Sequence, residues 1–168
     1  MSSGPADKRE TQPSEESFSV LFVDDDRDFL DSQAAFFGAS GHTVYTAESS
    51  SEALELLETT TPDIIFLDLM IEHFDSGFQL AYKIRKDPRF AQTPLVMLSG
   101  VARGTGQRFD TEGQVLMEWT RLDRFVDKPV SARQLLNLAR ELLAARSASE
   151  QAQRKDSAFK RPTKGKEQ

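Results

Sequence analysis

Five short segments with the composition of strands alternate along the chain with longer segments of mixed character, and the clearest of them, Pro62–Asp68, is an almost unbroken apolar run. Uninterrupted runs of this length are typical of strands that are buried on both faces of a parallel sheet. Between the runs, apolar residues recur at the three- and four-residue spacing of helices. The alternation predicts an α/β fold: a doubly wound parallel sheet with right-handed crossovers and helices on both faces. The predicted strands are Ser19–Val23, Thr43–Ala47, Pro62–Asp68, Pro94–Ser99 and Asp123–Asp127.

Capping residues mark where two of the intervening helices begin. Ser49 followed by Glu52 resembles a capping box that opens the second helix, and Ser131 can cap the last one. Residues 100–122 have the least distinct pattern. Their apolar residues still suit a fourth helix, in which Trp119 is predicted to be buried.

Both ends of the chain differ in composition from its middle. Residues 1–17 are polar and carry two prolines, and residues 147–168 are polar and basic, so both segments are predicted to be disordered. Residues 18–146 are then predicted to form a single domain, and a segment of this length is a common size for a domain with one core.

Composition also bears on location and partners. No apolar stretch is long enough to cross a bilayer, and the first residues lack the features of a signal peptide, so we expect a cytoplasmic protein with no membrane contact. The chain has no cysteine, which excludes disulfides and thiol chemistry. A net charge of −6 argues against nucleic acid as a partner of the folded domain.

Polar side chains stand where four of the predicted strands end. Because parallel strands point the same way, these ends meet at one edge of the sheet, where ligands bind in open α/β folds. The side chains expected to converge there are Asp24, Asp25, Asp68, Ser99 and Lys128.

Three carboxylates held together repel one another unless a cation or a proton compensates them. Mg²⁺ prefers oxygen ligands and commonly uses one or two carboxylates together with phosphate oxygens. Lys128 and the Ser99 hydroxyl can each contact a phosphoryl oxygen, which leaves Asp68 as a carboxylate nucleophile. The pattern therefore predicts a magnesium-dependent phosphoryl-transfer site.

Four motifs in this order resemble the receiver domain of two-component response regulators, and the resemblance covers about residues 17–145. It implies a flavodoxin-like (βα)5 sandwich with strand order 2-1-3-4-5, similar to stand-alone CheY-like proteins. The motifs are Leu21–Asp26, Asp63–Met70, Leu95–Gly100 and Phe125–Pro129.

The resemblance also implies a role for each matched residue. Asp68 is the phosphoacceptor. Asp24 and Asp25 hold Mg²⁺ together with Asp68 and the Met70 backbone carbonyl. Ser99 and Lys128 contact the phosphoryl group, and Phe125 is the aromatic whose packing changes on activation.

The implied partners are a sensor histidine kinase or phosphotransfer protein and a downstream protein. The downstream protein is expected on the face formed by the fourth helix, fifth strand and fifth helix. The chain is expected to be a monomer or a phosphorylation-dependent dimer, and to catalyse only its own phosphorylation and dephosphorylation.

This chain departs from the family pattern in two places. The segment 70–76 is longer than the usual loop and lacks its proline, and the stretch between Ser99 and Lys128 is also longer than usual. Arg121 and Leu122 stand where the family has a Gly-Ala pair.

Two other functions also fit parts of the sequence. In a haloacid-dehalogenase-like phosphatase Asp24 would be the nucleophile, but Asp68 would then have no role and the acidic pair expected after the lysine is missing. A receiver used as a phosphorylation-independent scaffold is the other alternative, against which the complete set of acids, hydroxyl and lysine argues.

Overall fold

A five-stranded parallel sheet organises the protein. The computed structural model describes residues 16–73, 75–100 and 118–159. The sheet has the order β2-β1-β3-β4-β5, which confirms the predicted fold and strand order. Its strands are β1 (Ser19–Val23), β2 (Thr43–Ala47), β3 (Ile64–Asp68), β4 (Leu95–Ser99) and β5 (Arg124–Asp127).

Helices follow the strands as the sequence predicts. The Ser49 hydroxyl accepts a hydrogen bond from the Glu52 backbone N–H at 3.1 Å, and the Ser131 hydroxyl accepts one from the Gln134 N–H at 3.2 Å, so both predicted caps are confirmed. No helix in the described ranges is long and apolar enough to cross a membrane. The helices are α1 (Arg27–Ala39), α2 (Ser50–Thr59), α3 (Ser76–Lys86), a 3-10 turn (Pro88–Phe90), the helical residues 118–120, here designated α4, and α5 (Ala132–Phe159).

The core consists of two apolar layers, one on each face of the sheet. Successive side chains of a strand point to opposite faces, so β1 and β3 supply both layers. Leu21 and Ile65 pack with side chains from α2 and α3, whereas Phe22 and Phe66 pack with side chains from α1 and α5. Because β1 and β3 are buried on both faces, the positions where they end are closely fixed.

The last helix extends beyond the predicted domain. The prediction that residues 147–168 are disordered is wrong for residues 147–159, which continue α5. Neither glycine nor proline interrupts α5, its residues are mostly good helix formers, and Arg146 Nε contacts Glu150 Oε1 one turn later at 3.0 Å. Residues 1–15 and 160–168, the rest of the two predicted tails, lie outside the described residues.

Trp119 is 66% exposed, so the prediction that it is buried is wrong. The buried residue of this turn is its neighbour Thr120, whose carbonyl accepts a hydrogen bond from Arg85 Nε at 3.1 Å. Spacing alone predicted a helix here but not which of its sides faces the domain. The remainder of the predicted fourth helix, within residues 101–117, lies outside the described residues.

Arg85 forms hydrogen bonds with the segment that precedes β5. Its guanidinium donates to the backbone carbonyls of Thr93 at 2.7 Å and Arg121 at 2.8 Å, and to the Asp123 carboxylate at 3.2 Å. Arg121 has a φ of 46°, the left-handed conformation that glycine adopts most easily. The Arg85 contacts thus hold a non-glycine residue in a left-handed conformation.

Candidate metal and phosphoryl-transfer site

Three carboxylates meet at the carboxyl edge of the sheet. Val23 and Leu67 are register partners in the neighbouring strands β1 and β3, so the acids that follow Val23 lie beside Asp68. Each of Asp24, Asp25 and Asp68 offers a carboxylate oxygen, and these oxygens lie within 4.8 Å of one another. Asp24 and Asp68 are buried, whereas Asp25 is exposed. The structure therefore brings together the three acids that the sequence placed at this edge.

Lys128 is the cation beside these acids. Its Nζ lies 2.6 Å from Asp24 Oδ2 and 3.8 Å from Asp68 Oδ1. The ammonium also lies over the ring of Phe29, 4.6 Å from the ring centroid. The lysine thus forms its close ion pair with Asp24 and leaves Asp68 only partly compensated.

Burial beside other charged groups raises the pKa of Asp68 from its ordinary value of 3.8 to about 6. Burial is the main cause, and the Asp24 carboxylate adds to it. Lys128 and a hydrogen bond from the Met70 backbone N–H act in the opposite direction. Burial, followed by the charge of Asp24, also raises the pKa of Asp25. The cluster would therefore gain stability from an added positive charge.

The donor set fits a hard divalent cation. Carboxylate oxygens are the ligands that Mg²⁺ and Ca²⁺ prefer, and the closely spaced acids would share the charge of one ion. Met70 directly follows this edge through Leu69, whose N–H donates to the Leu98 carbonyl at 2.8 Å. The predicted role of the Met70 carbonyl as a further ligand stays a prediction.

Ser99 and Phe125 come from the next two strands. Ser99 ends β4, is buried, and accepts a hydrogen bond through its carbonyl from the Lys128 N–H at 2.7 Å. Phe125 in β5 is half-buried against the apolar layer under α2 and α3. The structure therefore places Ser99 and Lys128 side by side at the carboxyl edge and Phe125 in the core behind them.

The Ser76 hydroxyl makes several of the hydrogen bonds that hold the loop between β3 and α3. Ser76 Oγ accepts hydrogen bonds from the backbone N–H groups of Ile71 at 2.9 Å, Glu72 at 3.1 Å and His73 at 3.3 Å. The Ile71 side chain is buried, and a Glu72 carboxylate oxygen accepts a bond from the Ser50 N–H of α2 at 2.8 Å. Although longer than the family pattern, the loop is tied at several points next to Asp68.

Gly77 allows α3 to approach the end of β3 closely. A Cβ at this position would lie 2.3 Å from the Asp68 backbone oxygen and 2.7 Å from the Leu69 Cα. The Gly77 N–H donates to the Leu69 carbonyl at 2.9 Å. Sequence reasoning did not identify Ser76, Gly77 or Phe29 as parts of the site, because their roles depend on which backbone or side chain they meet.

A family model of the response regulator receiver domain matches residues 20–140. The chain belongs to this family. Receiver domains act in two-component signalling, in which they interact with histidine kinases and downstream targets.

The receiver matches several curated response regulators over most of its length. It is 36% identical over 139 residues to response regulator Rre1 of Synechocystis. This match covers 82% of this chain and 56% of Rre1. It is 28% identical over 121 residues to protein PilG of Pseudomonas aeruginosa, covering 72% of this chain and 84% of PilG. The chain thus spans about half the length of Rre1.

Solved structures share the fold. The chemotaxis response regulator CheY4 of Vibrio cholerae aligns with a TM-score of 0.64 and 21% identity, covering 76% of this chain and 99% of CheY4. A CheY-like receiver domain protein from Methanospirillum hungatei aligns with a TM-score of 0.67 and 24% identity, covering 80% of this chain. Because the chain belongs to the receiver family, it is not a member of the haloacid-dehalogenase-like phosphatases, the alternative in which Asp68 had no role.

Proposed function

We propose that this receiver takes a phosphoryl group from a phosphohistidine of a sensor kinase or phosphotransfer protein onto Asp68. The observation that carries the proposal is the convergence of Asp24, Asp25 and Asp68 within 4.8 Å beside Lys128. Asp68 is the acid of this cluster that is buried at a strand end without a close ion pair, which leaves its carboxylate available to attack phosphorus.

The transfer exchanges one bond to phosphorus for another. A carboxylate oxygen of Asp68 forms a bond to phosphorus while the bond from phosphorus to the histidine nitrogen breaks. The electron pair of that bond stays on the nitrogen, and a proton taken up by the ring from solvent makes the leaving histidine a neutral imidazole. With a small donor such as acetyl phosphate, acetate is the leaving group.

Asp24 and Asp25, with the Met70 carbonyl, would hold Mg²⁺, which supplies positive charge to the phosphoryl oxygens when it is bound. Lys128 lies 3.8 Å from Asp68 and can move its ammonium onto a phosphoryl oxygen. Beyond its own phosphorylation and dephosphorylation, the domain is proposed to have no enzymatic activity.

The signal would pass through the next two strands. A phosphoryl group adds about −1.5 to −2 charges, which attracts the Ser99 hydroxyl and favours a second packing of the half-buried Phe125. The face formed by α4, β5 and α5 would then bind a downstream protein only when Asp68 is phosphorylated.

Intact-mass measurement after incubation with acetyl phosphate and Mg²⁺ tests the proposal. We expect one added phosphoryl group in the wild type and none in Asp68→Ala. Asp31→Asn, which alters an exposed carboxylate of α1, is the matched control and should be modified like the wild type. Equal modification of Asp68→Ala would overturn the proposal, and no modification of the wild type would favour the phosphorylation-independent scaffold.

A further inference from the structure

The ammonium of Lys128 has an aromatic neighbour that the proposed function does not use. Besides the two carboxylates, its contact in the described structure is the ring of Phe29, with Nζ 4.6 Å from the ring centroid. A cation over the face of an aromatic ring is attracted by the negative charge density of that face. Phe29 therefore contributes to where the site lysine rests.

The ring is fixed in place from two sides. Phe29 lies in the first turn of α1, where its N–H donates to the Asp26 side chain that caps the helix, at 3.2 Å. Its ring packs edge-on against Phe22, with centroids 6.4 Å apart and planes at 81°. Phe22 is fully buried and stacks on Phe66 at 4.9 Å. A side chain anchored in this way keeps one position for the lysine to rest on.

An aromatic neighbour suits this lysine better than a polar one. The ammonium has three N–H donors, and a carboxylate or carbonyl at position 29 would compete for one of them. The ring attracts the charge without fixing any single N–H, so the donors remain available to Asp24 and to an incoming phosphoryl oxygen. It also covers one side of a side chain that is 24% exposed.

We propose that Phe29 is a positioning residue for Lys128, holding the ammonium between its ring and the Asp24–Asp68 pair through a cation–π contact. This inference rests on the proposed function, because it concerns the lysine that is proposed to contact the phosphoryl group on Asp68. It assigns a part of the site to α1, whereas the acids, Ser99 and Lys128 lie at or just after the ends of sheet strands.

Fluorinated phenylalanines separate the charge effect from packing. Replacing Phe29 with mono-, tri- and pentafluorophenylalanine keeps the shape of the ring nearly unchanged while it removes the negative charge of its face. We expect the rate of Asp68 phosphorylation by acetyl phosphate to fall stepwise, by about three- to tenfold over the series. Phe29→Leu, which has no ring, should be at least as slow.

The matched control is the same series at Phe36, which is also half-buried on α1 and packs against Phe37 with centroids 6.2 Å apart. Fluorination there should leave the rate unchanged. A second measurement is the NMR shift of the Lys128 ε-methylene protons without metal, which the ring current should displace upfield in the wild type but not in Phe29→Leu.

A flat rate series in a protein whose wild type is phosphorylated overturns the inference and leaves the proposed function intact. The absence of a ring-current shift overturns it as well. If the wild type takes no phosphoryl group at Asp68, the proposed function fails and the inference fails with it.

Discussion

Two carboxylates lie at opposite ends of β3 and have opposite surroundings. Asp63, just before the strand, accepts hydrogen bonds from the Ser19 N–H at 2.8 Å and the Ser19 hydroxyl at 3.1 Å. Asp68, at the other end, faces two further carboxylates and a lysine 3.8 Å away. The first negative charge is compensated by its neighbours, whereas the second is buried with too little compensation.

The difference shows where this fold leaves room for chemistry. A carboxylate with its own donors stabilises the native state and has no need of a ligand. A buried carboxylate beside other acids raises the free energy of the unliganded protein, and a cation can lower it again. Thus Asp63 is expected to contribute to stability and Asp68 to function, although one short strand carries both.

Removing the charge of Asp68 should give the largest effect on stability. Its pKa is about 6 in the folded protein and 3.8 when unperturbed, so the folded state binds the proton more tightly. Above pH 6 the carboxylate is ionised in both states and the full cost of burying it applies; below pH 4 it is protonated in both and that cost is gone. The shift of about two pKa units corresponds to about 3 kcal/mol.

We therefore expect Asp68→Asn to be more stable than the wild type by about 2 to 3 kcal/mol at pH 8 without divalent cations. The gain should shrink as the pH falls from 6 to 4. Urea denaturation in the presence of EDTA at several pH values measures it, with Asp31→Asn as the control for loss of an exposed charge. A variant that is less stable than the wild type at pH 8 would contradict the charge balance described for this edge.

The sequence predicts this edge well because backbone geometry determines it. Parallel strands must end at the same edge, so the positions of Asp24, Asp68 and Lys128 follow from the strand assignments alone. Which carboxylate the lysine contacts most closely could not be predicted. That depends on side-chain conformation and on the ring of Phe29.

Other features depend on contacts that leave no local pattern. The exposure of Trp119 follows from Thr120 facing Arg85, which is 35 positions away in sequence. The helical extension of α5 was missed for a different reason. Polar composition is shared by disordered tails and by exposed helices, so residues 147–159 did not reveal their conformation.

Neutralising the other carboxylate should have the opposite sign. Asp63→Asn keeps one acceptor oxygen but loses the charge that strengthens both bonds from Ser19, so we expect a loss of about 1 to 2 kcal/mol. Phosphorylation of Asp68 should be unaffected, since Asp63 lies at the far end of β3. The same urea series and the intact-mass assay measure both effects. If Asp63→Asn were as stable as Asp68→Asn at pH 8, the contrast between the two ends of β3 would fail.

The smallest effect should come from removing one of the two donors of Asp63. Ser19→Ala deletes the hydroxyl bond at 3.1 Å but leaves the backbone N–H bond at 2.8 Å, so we expect a loss of about 0.5 to 1 kcal/mol. The effect should be smaller in the Asp63→Ala background, because the hydroxyl then has no carboxylate to which it can donate. A double-mutant cycle of the two positions measures this coupling. Equal losses in both backgrounds would mean that Ser19 stabilises the strand through its other contacts, such as the bond that the Asp63 N–H donates to its hydroxyl at 3.1 Å.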